Sequence, residues 1–473
     1  MLRPYMHYVQ TQEKWIPMIP EKWNLVTVKS VLSERKEKNI PIKTDFILSL
    51  TAKQGVIPYN EKKSGGNKAK EDISKYNIAH KNDLLVNCMN VVSGSSGISN
   101  YYGAISPVYY ALYVRNNDAN IRYCEYIFRN SLFYSSLVGL GNGILMKKSS
   151  SGKLNTVRKR IPMNKLNRVM IPLPPRSEQD QIVRFLDWKT TEIARYIKEK
   201  KEEIAYLTEL KNSLIFHAVT KGCRPTVTKT CQQKWIGDIP AHWEEKMLFQ
   251  CATEQNISNK NIHNQNLLSL SYGKIVNKDI NTTTGLLPAS FDTYQIIHDG
   301  NIILRLTDLQ NDHRSLRVGL STQTGIITSA YTCLKPRAHV LPEYLYLLLH
   351  SYDVCKLFYG MGGGVRQSIG YNDIRRMIVL LPPKEEQEEI VTYCHGVQTK
   401  IDLLIDSIKN EISYLGELRT KTIADVVTGK VDIRSVIIPE YEMATYAEID
   451  EDIDEDTTDD ESEEEILDEE VDD

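Results

Sequence analysis

Glycine-rich turns, histidines, cysteines and paired carboxylates are the features of this chain whose types could support catalysis. None is spaced for it. Gly139-Leu140-Gly141-Asn142-Gly143 and Gly362-Gly363-Gly364 could cradle phosphates. Each precedes a conformationally awkward segment at an equivalent place in the chain, so a tight turn is the better reading. There is no Gly-x-x-x-x-Gly-Lys-Ser/Thr loop and no Gly-x-Ser-x-Gly elbow. The ten histidines lack metal-ligand spacing, and His217 reads as an ordinary residue near a helix end. Glu385-Glu386 and Glu388-Glu389 read as the solvated first turn of a helix, not as an acid–base dyad. The eight cysteines are scattered, with no Cys-x-x-Cys pair. In a chain this long they read as reduced thiols of a cytoplasmic protein. The chemistry left is binding.

Charge says what is bound. The formal net charge is −3, but 20 of the 61 Asp and Glu lie between Glu440 and Asp473, a stretch without Lys or Arg. Residues 1–439 therefore carry 58 basic against 41 acidic side chains, a net of +17. A basic body is the electrostatic footprint of a polyanion binder. No run of apolar residues is long enough for a membrane helix, and the N-terminus lacks a signal-peptide pattern.

The elements that position the basic residues occur twice. Trp15-Ile16-Pro17-Met18-Ile19-Pro20-Glu21-Lys22-Trp23 returns as Trp235-Ile236-Gly237-Asp238-Ile239-Pro240-Ala241-His242-Trp243, 220 residues later. Leu48-Ser49-Leu50-Thr51 returns as Leu268-Ser269-Leu270-Ser271 at the same offset. Gly103, Ile105, Tyr109 and Leu112 match Gly325, Ile327, Tyr331 and Leu334. Pro174-Pro175-Arg176-Ser177-Glu178-Gln179 returns as Pro382-Pro383-Lys384-Glu385-Glu386-Gln387, now at an offset of 208. The change implies an insertion of about a dozen residues in the first half, and Met146–Lys153 is the obvious loop to hold it. A repeat this long exceeds the ~20–50 residues of a solenoid unit. It is a duplicated domain plus helix, and DNA with two half-sites is the leading ligand for two copies of one recognition unit. Within each half, short strand-like and helical signals mix.

After each Pro-Pro motif, apolar residues step by four and three. They are Ile193, Ile197, Ile204, Leu207 and Leu214 in the first helix, and Ile401, Ile405, Ile408, Ile412 and Leu415 in the second. This is a heptad seam, interrupted by Lys200, Lys211 and Arg419. Gly222 and Gly429 cap the runs. Each helix of roughly 40 residues would measure about 60 Å. An apolar stripe of that length needs a partner, and the other copy supplies one if the two run antiparallel. The expected class is α+β: two similar mixed α/β domains joined by two long antiparallel coiled-coil helices with pseudo-two-fold symmetry. The expected boundaries are 1–173, first domain; 174–222, first helix; 223–381, second domain; 382–430, second helix; 431–473, a disordered acidic tail.

This order, from Trp-Ile-x-x-Ile-Pro-x-x-Trp through a variable domain to Leu-Pro-Pro-x-x-Glu-Gln-x-x-Ile-Val and a long helix, all repeated once, resembles the specificity subunit of type I restriction–modification systems. The resemblance covers residue 15 to about 430. It implies that each variable domain is a target recognition domain reading one half of a split DNA sequence. It implies that the helices set the spacer and dock two modification subunits, which are methyltransferases using S-adenosylmethionine. Restriction subunits using ATP and Mg would join them. The chain itself would hold no cofactor, no metal and no active site. The acidic tail departs from the family pattern; its charge could compete with DNA for the basic surfaces. The competing reading is a non-catalytic two-domain protein-interaction scaffold.

Base readout needs Arg or Lys for guanine and Asn or Gln for adenine. The candidate loops are Lys53, Gln54, Lys62, Lys63, Lys68 and Lys70 in the first domain, and Lys274, Arg305, Arg314 and Arg317 in the second. Arg158 and Arg366 are equivalent, so they suit phosphate contact or scaffold; a shared residue cannot encode two different half-sites. The repeated Trp15, Trp23, Trp235 and Trp243 read as packing anchors rather than base-stacking platforms.

Overall fold

Two long helices, Arg176–Lys221 and Lys384–Val427, dominate the computed structural model. It describes residues 3–51, 54–62, 72–89, 94–141, 160–262, 264–280, 291–307, 309, 316–361 and 369–445. At 1.5 Å per residue the helices run to about 65–70 Å. Both begin directly after a Pro-Pro pair. Each is followed by a left-handed glycine: Gly222, φ +79°, directly after the first helix, and Gly429, φ +72°, two residues past the second. That backbone conformation is open to glycine and strained for other residues.

The described residues divide into two compact units, 1–201 with 409–445 and 202–408. These units cut across the expected boundaries, because neither long helix stands apart as a domain. In the first unit, Ile182, Val183, Phe185 and Leu186 from the start of the first helix share a core with Val426 and Val427 from the end of the second. In the second unit, Ile215, Ala218 and Val219 from the end of the first helix share a core with Ile390 and Cys394 from the start of the second.

Each unit repeats one mixed α/β plan. A short hairpin carries the first Trp motif: Tyr8–Gln10 pairs with Met18–Pro20, and Thr228–Thr230 with Asp238–Pro240. The strand after it pairs antiparallel with the strand before the long helix, Asn24–Thr27 with Met170–Leu173 and Glu244–Met247 with Ile378–Leu381. A four-stranded sheet follows. In the first unit its order is Leu32–Glu34, Tyr109–Val114, Leu84–Asn87, Ser96–Ile98; in the second it is Ala252–Gln255, Thr332–Pro336, Ile302–Leu304, Val318–Leu320. A second layer contains a hairpin, Ile47–Thr51 with Gly55–Pro58 in one unit and Leu268–Ser271 with Lys274–Asn277 in the other.

Gly103 and Gly325 show why some residues are shared by both halves. A Cβ at Gly103 would lie 2.7 Å from Phe46 O, and one at Gly325 would lie 2.5 Å from Asn266 O. Only glycine permits that approach between neighbouring strands.

The insertion also falls where expected. Leu137–Leu140 corresponds to Leu357–Gly360 at an offset of 220, and Met163–Leu166 to Tyr371–Ile374 at 208. The extra residues therefore lie between 141 and 160, and Met146–Lys153 itself is outside the described residues.

The expected disordered tail needs a correction. Residues 431–445 dock on the first unit: Ile433 is buried in its core, with Val431, Val436 and Ile438 packed against it. The acidic composition of the segment beyond hid this apolar spacing. Residues 446–473 lie outside the described residues.

Candidate nucleic-acid interface

The hairpin of the second layer carries a candidate reader at its turn end in each unit. Gln54 precedes the strand Gly55–Pro58, and its backbone N–H donates to Thr51 Oγ1 at 2.9 Å. Lys274, 220 residues later, opens the strand Lys274–Asn277 and is exposed. The turn before it, Tyr272-Gly273, has φ +44° and +78°, the all-positive pair of a tight two-residue hairpin turn. By register Lys274 pairs with Ser271 as Gly55 pairs with Thr51, so Gln54 lies in the turn one place before the counterpart of Lys274. Lys62 ends the same region of the first unit, half-buried, with Nζ 5.9 Å from the Tyr59 ring centroid.

Arg317 is not available to DNA, contrary to expectation. Its side chain is 0% exposed. Nε donates to Tyr359 Oη at 2.9 Å, and Nη1 donates to the carbonyls of Thr307 at 2.7 Å and Arg305 at 3.2 Å. Its backbone N–H donates to the buried Asp353 Oδ2 at 2.5 Å. A buried guanidinium persists only when its donors are satisfied, and here they tie the ends of two strands together. Arg305 is half-buried in the same node, its N–H donating to Arg317 O at 2.9 Å. Lys53, Lys63, Lys68, Lys70, Arg158, Arg314 and Arg366 lie outside the described residues.

Among the described residues, no group of three or more His, Cys, Asp or Glu is placed to hold a metal ion. Burial pushes the thiols of Cys124, Cys333 and Cys394 up to about 12 and that of Cys251 to about 11, far from thiolate reactivity at neutral pH. No helix among the described residues is long and apolar enough to cross a membrane.

Residues 20–206 match the family model of the type I restriction modification DNA specificity domain. Over those residues the chain is similar to this specificity family. It is 23% identical over 286 residues to the MjaX type I restriction enzyme specificity subunit of Methanocaldococcus jannaschii, across 58% of this chain and 62% of that protein. The chain thus matches a little under two thirds of that relative's length. A solved chain from work on complex assembly and conformational transition of the type I R-M system superposes with a TM-score of 0.62 at 13% identity, covering 87% of this chain and 99% of the other. That likeness is one of fold. An HsdS subunit from Thermoanaerobacter tengcongensis aligns at TM-score 0.47 and 14% identity, over 89% of this chain and 100% of its own.

The motifs shared by both halves are scaffold. Trp15, Trp23 and Trp243 are buried in the two cores. Trp235 is 39% exposed, edge-on to Tyr352 at 5.0 Å. Glu385 and Glu388 are exposed, as a solvated first turn requires, but the glutamine of the repeated Glu-Gln is buried and has a role of its own. Gln179 Nε2 donates to Pro174 O at 2.8 Å and Asp118 O at 3.0 Å, and its Oε1 accepts from Asn120 N at 2.8 Å. Gln387 repeats this with Pro382 O at 3.0 Å, His339 O at 3.2 Å and Leu341 N at 2.8 Å. Each glutamine locks the start of a long helix to the loop before a short one. The signal that pointed to it was its recurrence beside Pro-Pro, where a surface glutamine has no reason to recur.

Proposed function

We propose that this chain is the sequence-specific DNA-recognition subunit of a type I restriction–modification complex, with each unit reading one half of a bipartite target in double-stranded DNA. The observation that carries this is the duplicated hairpin, whose turn end carries Gln54 in one unit and Lys274 in the other, side chains of different base preference. Gln suits the N6/N7 edge of adenine, and Lys suits O6/N7 of guanine. A duplicated scaffold with different residues at the same hairpin is what two unlike half-sites require.

In this reading the long helices form an antiparallel coiled-coil strut. It sets the gap between half-sites, which recur about 34–36 Å apart per DNA turn. Two ion pairs support it, one within each unit: Lys200 to Glu411 at 3.2 Å and Lys211 to Asp402 at 2.7 Å. The lysines that interrupt the heptad seam thus face acids of the other helix. Seam residues Ile193, Ile197, Ile401, Ile405 and Ile408 are buried, while Ile204, Leu207, Leu214, Ile412 and Leu415 are half-buried. The same helices dock two modification subunits, which supply S-adenosylmethionine-dependent methyl transfer. Restriction subunits supply ATP- and Mg-dependent cleavage. No catalytic step is assigned to this chain, and its setting is the cytoplasm.

The test is co-expression with the modification subunit encoded next to it, followed by methylation-aware sequencing of host DNA. A split motif with methyladenine on opposite strands is the expected result. A soluble complex that leaves no new methylation would overturn the reading in favour of a protein scaffold.

A further inference from the structure

The two long helices start in the same way and then differ on one face. Positions 208 apart match on the buried side: Ile182 and Ile390 are both 0% exposed, as are Leu186 and Cys394. On the adjoining side the halves diverge. Phe185 is 1% exposed, whereas its counterpart Tyr393 is 42% exposed. Thr191 is buried and Thr399 is exposed. Trp188 corresponds to Gly396, where an added Cβ would meet nothing within 4 Å.

The difference comes from residues 433–445, which lie as a strap along the first helix within the first unit. Gln181 Nε2 donates to Val436 O at 2.8 Å, and Arg195 Nη2 donates to Glu442 O at 2.9 Å. Tyr441 Oη donates to Arg184 O at 3.3 Å, and the Ala444 N–H donates to Thr191 Oγ1 at 3.1 Å. Val436 and Ile438 of the strap pack in the cluster that holds Phe185 and Trp188. The second helix lacks these grips. Glu389 stands where Gln181 does and cannot donate. Leu403 stands where Arg195 does and is 66% exposed beside Leu404, itself more than half exposed.

We propose that these two helix-start faces are the docking places of the two modification subunits, and that the strap closes the one on the first helix. The chain then takes up its two partners unequally. The first binds the bare face marked by Tyr393, Leu403 and Leu404; the second must displace the strap around Arg195. The partner at the bare face presents an apolar surface, because three exposed apolar side chains there gain from leaving water. The strap is suited to displacement, since its hydrogen bonds beyond Ile438 use main-chain groups, one hydroxyl and the Met443 sulfur, which accepts from Arg122 at 3.9 Å, and water can replace such bonds at small net cost. This inference rests on the proposed function, through the identity of the partners.

The experiment is titration of the full chain with its modification subunit, read by native mass spectrometry as populations of one-to-one and two-to-one complexes. Three variants are compared: a chain ending after Val436, which keeps the core residue Ile433; a chain ending after Thr445; and full-length Arg195→Leu, which copies the residue of the second helix. For the full chain, the second subunit is expected to bind about tenfold more weakly than the first, beyond the statistical factor. Ending after Val436 closes that gap, Arg195→Leu narrows it, and ending after Thr445 leaves it. Two equal affinities in the full chain, or a gap that survives loss of residues 437–473, would overturn the strap's role. A gap closed by ending after Thr445 would assign the effect to the acidic segment instead and also overturn it. A chain that binds no modification subunit in any form fails differently, because it overturns the proposed function itself.

Discussion

The indole N–H of Trp23 donates to Glu178 Oε1 at 3.0 Å, and no such bond exists between their counterparts Trp243 and Glu386. Glu178 is buried and also accepts from Tyr5 Oη at 2.5 Å. Glu386 instead accepts from His242 Nε2 at 2.7 Å, and the Trp243 nitrogen is buried without a partner. The repeat has kept its residues and changed its bonds. The Tyr5 side of the pair shows the same tension: burial first, then the Glu178 carboxylate, push the phenol well above its usual range.

That asymmetry predicts unequal mutational costs. Glu178→Ala leaves two buried donors unsatisfied, each worth about 1–3 kcal/mol. It should destabilise the first unit by about 2–5 kcal/mol in denaturant unfolding. Glu386→Ala breaks a pair with a half-exposed histidine and should cost about 1 kcal/mol or less. Equal losses at the two sites would mean that the bonds to Tyr5 and Trp23 contribute nothing net.

Arg317 gives a second contrast. Truncating it to Ala keeps the backbone bond to Asp353 but leaves the Thr307 and Arg305 carbonyls and Tyr359 Oη short of a donor. Each buried polar group left without its partner costs about 1–3 kcal/mol. Arg317→Ala should therefore lower the stability of the second unit by that order, visible as an earlier unfolding transition with DNA absent. A stable Arg317→Ala chain whose only defect is DNA binding would return the residue to the interface.

Much of this was legible from sequence where the cause is local. The Pro-Pro pairs and capping glycines act on the chain beside them, and the Trp and Glu-Gln motifs show themselves by recurring, so both long helices could be placed. Arg317 was misread because its burial depends on Asp353 and Tyr359, 36 and 42 residues away on other elements. In a basic run, nothing local distinguishes a satisfied interior arginine from a solvated one. The strap was missed for a compositional reason. Ile433, Val436 and Ile438 are apolar at spacings that pack, yet they adjoin a stretch whose charge argues for disorder, and the average hid the local pattern.

The hairpin pair predicts separable specificity. Gln54→Ala should relax the first half-site at one position and leave the second intact; Lys274→Ala should do the reverse. Loss of one good base contact removes about 1–3 kcal/mol of discrimination. Methylation-aware sequencing of each variant reads both half-sites at once. A uniform drop in methylation with both half-sites unchanged would instead mark these side chains as phosphate contacts.

His350 predicts a pH dependence confined to the second unit. It lies on the helix Pro342–Val354, its ring 5.6 Å from Tyr346, with Nδ1 buried and unpartnered. Burial, and secondarily the charge of Lys211, lower its pKa from 6.5 to about 4. The unfolded chain therefore binds a proton between pH 6.5 and 4 that the folded chain refuses. Stability rises with pH wherever the unfolded state holds more protons. The folded state should thus be unaffected by this group above pH 6.5 and should weaken as pH falls toward 4. The full shift corresponds to about 3 kcal/mol. His350→Phe keeps the ring and removes the proton site. Denaturant unfolding at pH 7 and pH 5 should then show a smaller pH 5 deficit in the variant than in the parent chain. An equal deficit in both would mean that other groups carry the acid sensitivity and that His350 titrates alike in the folded and unfolded chain.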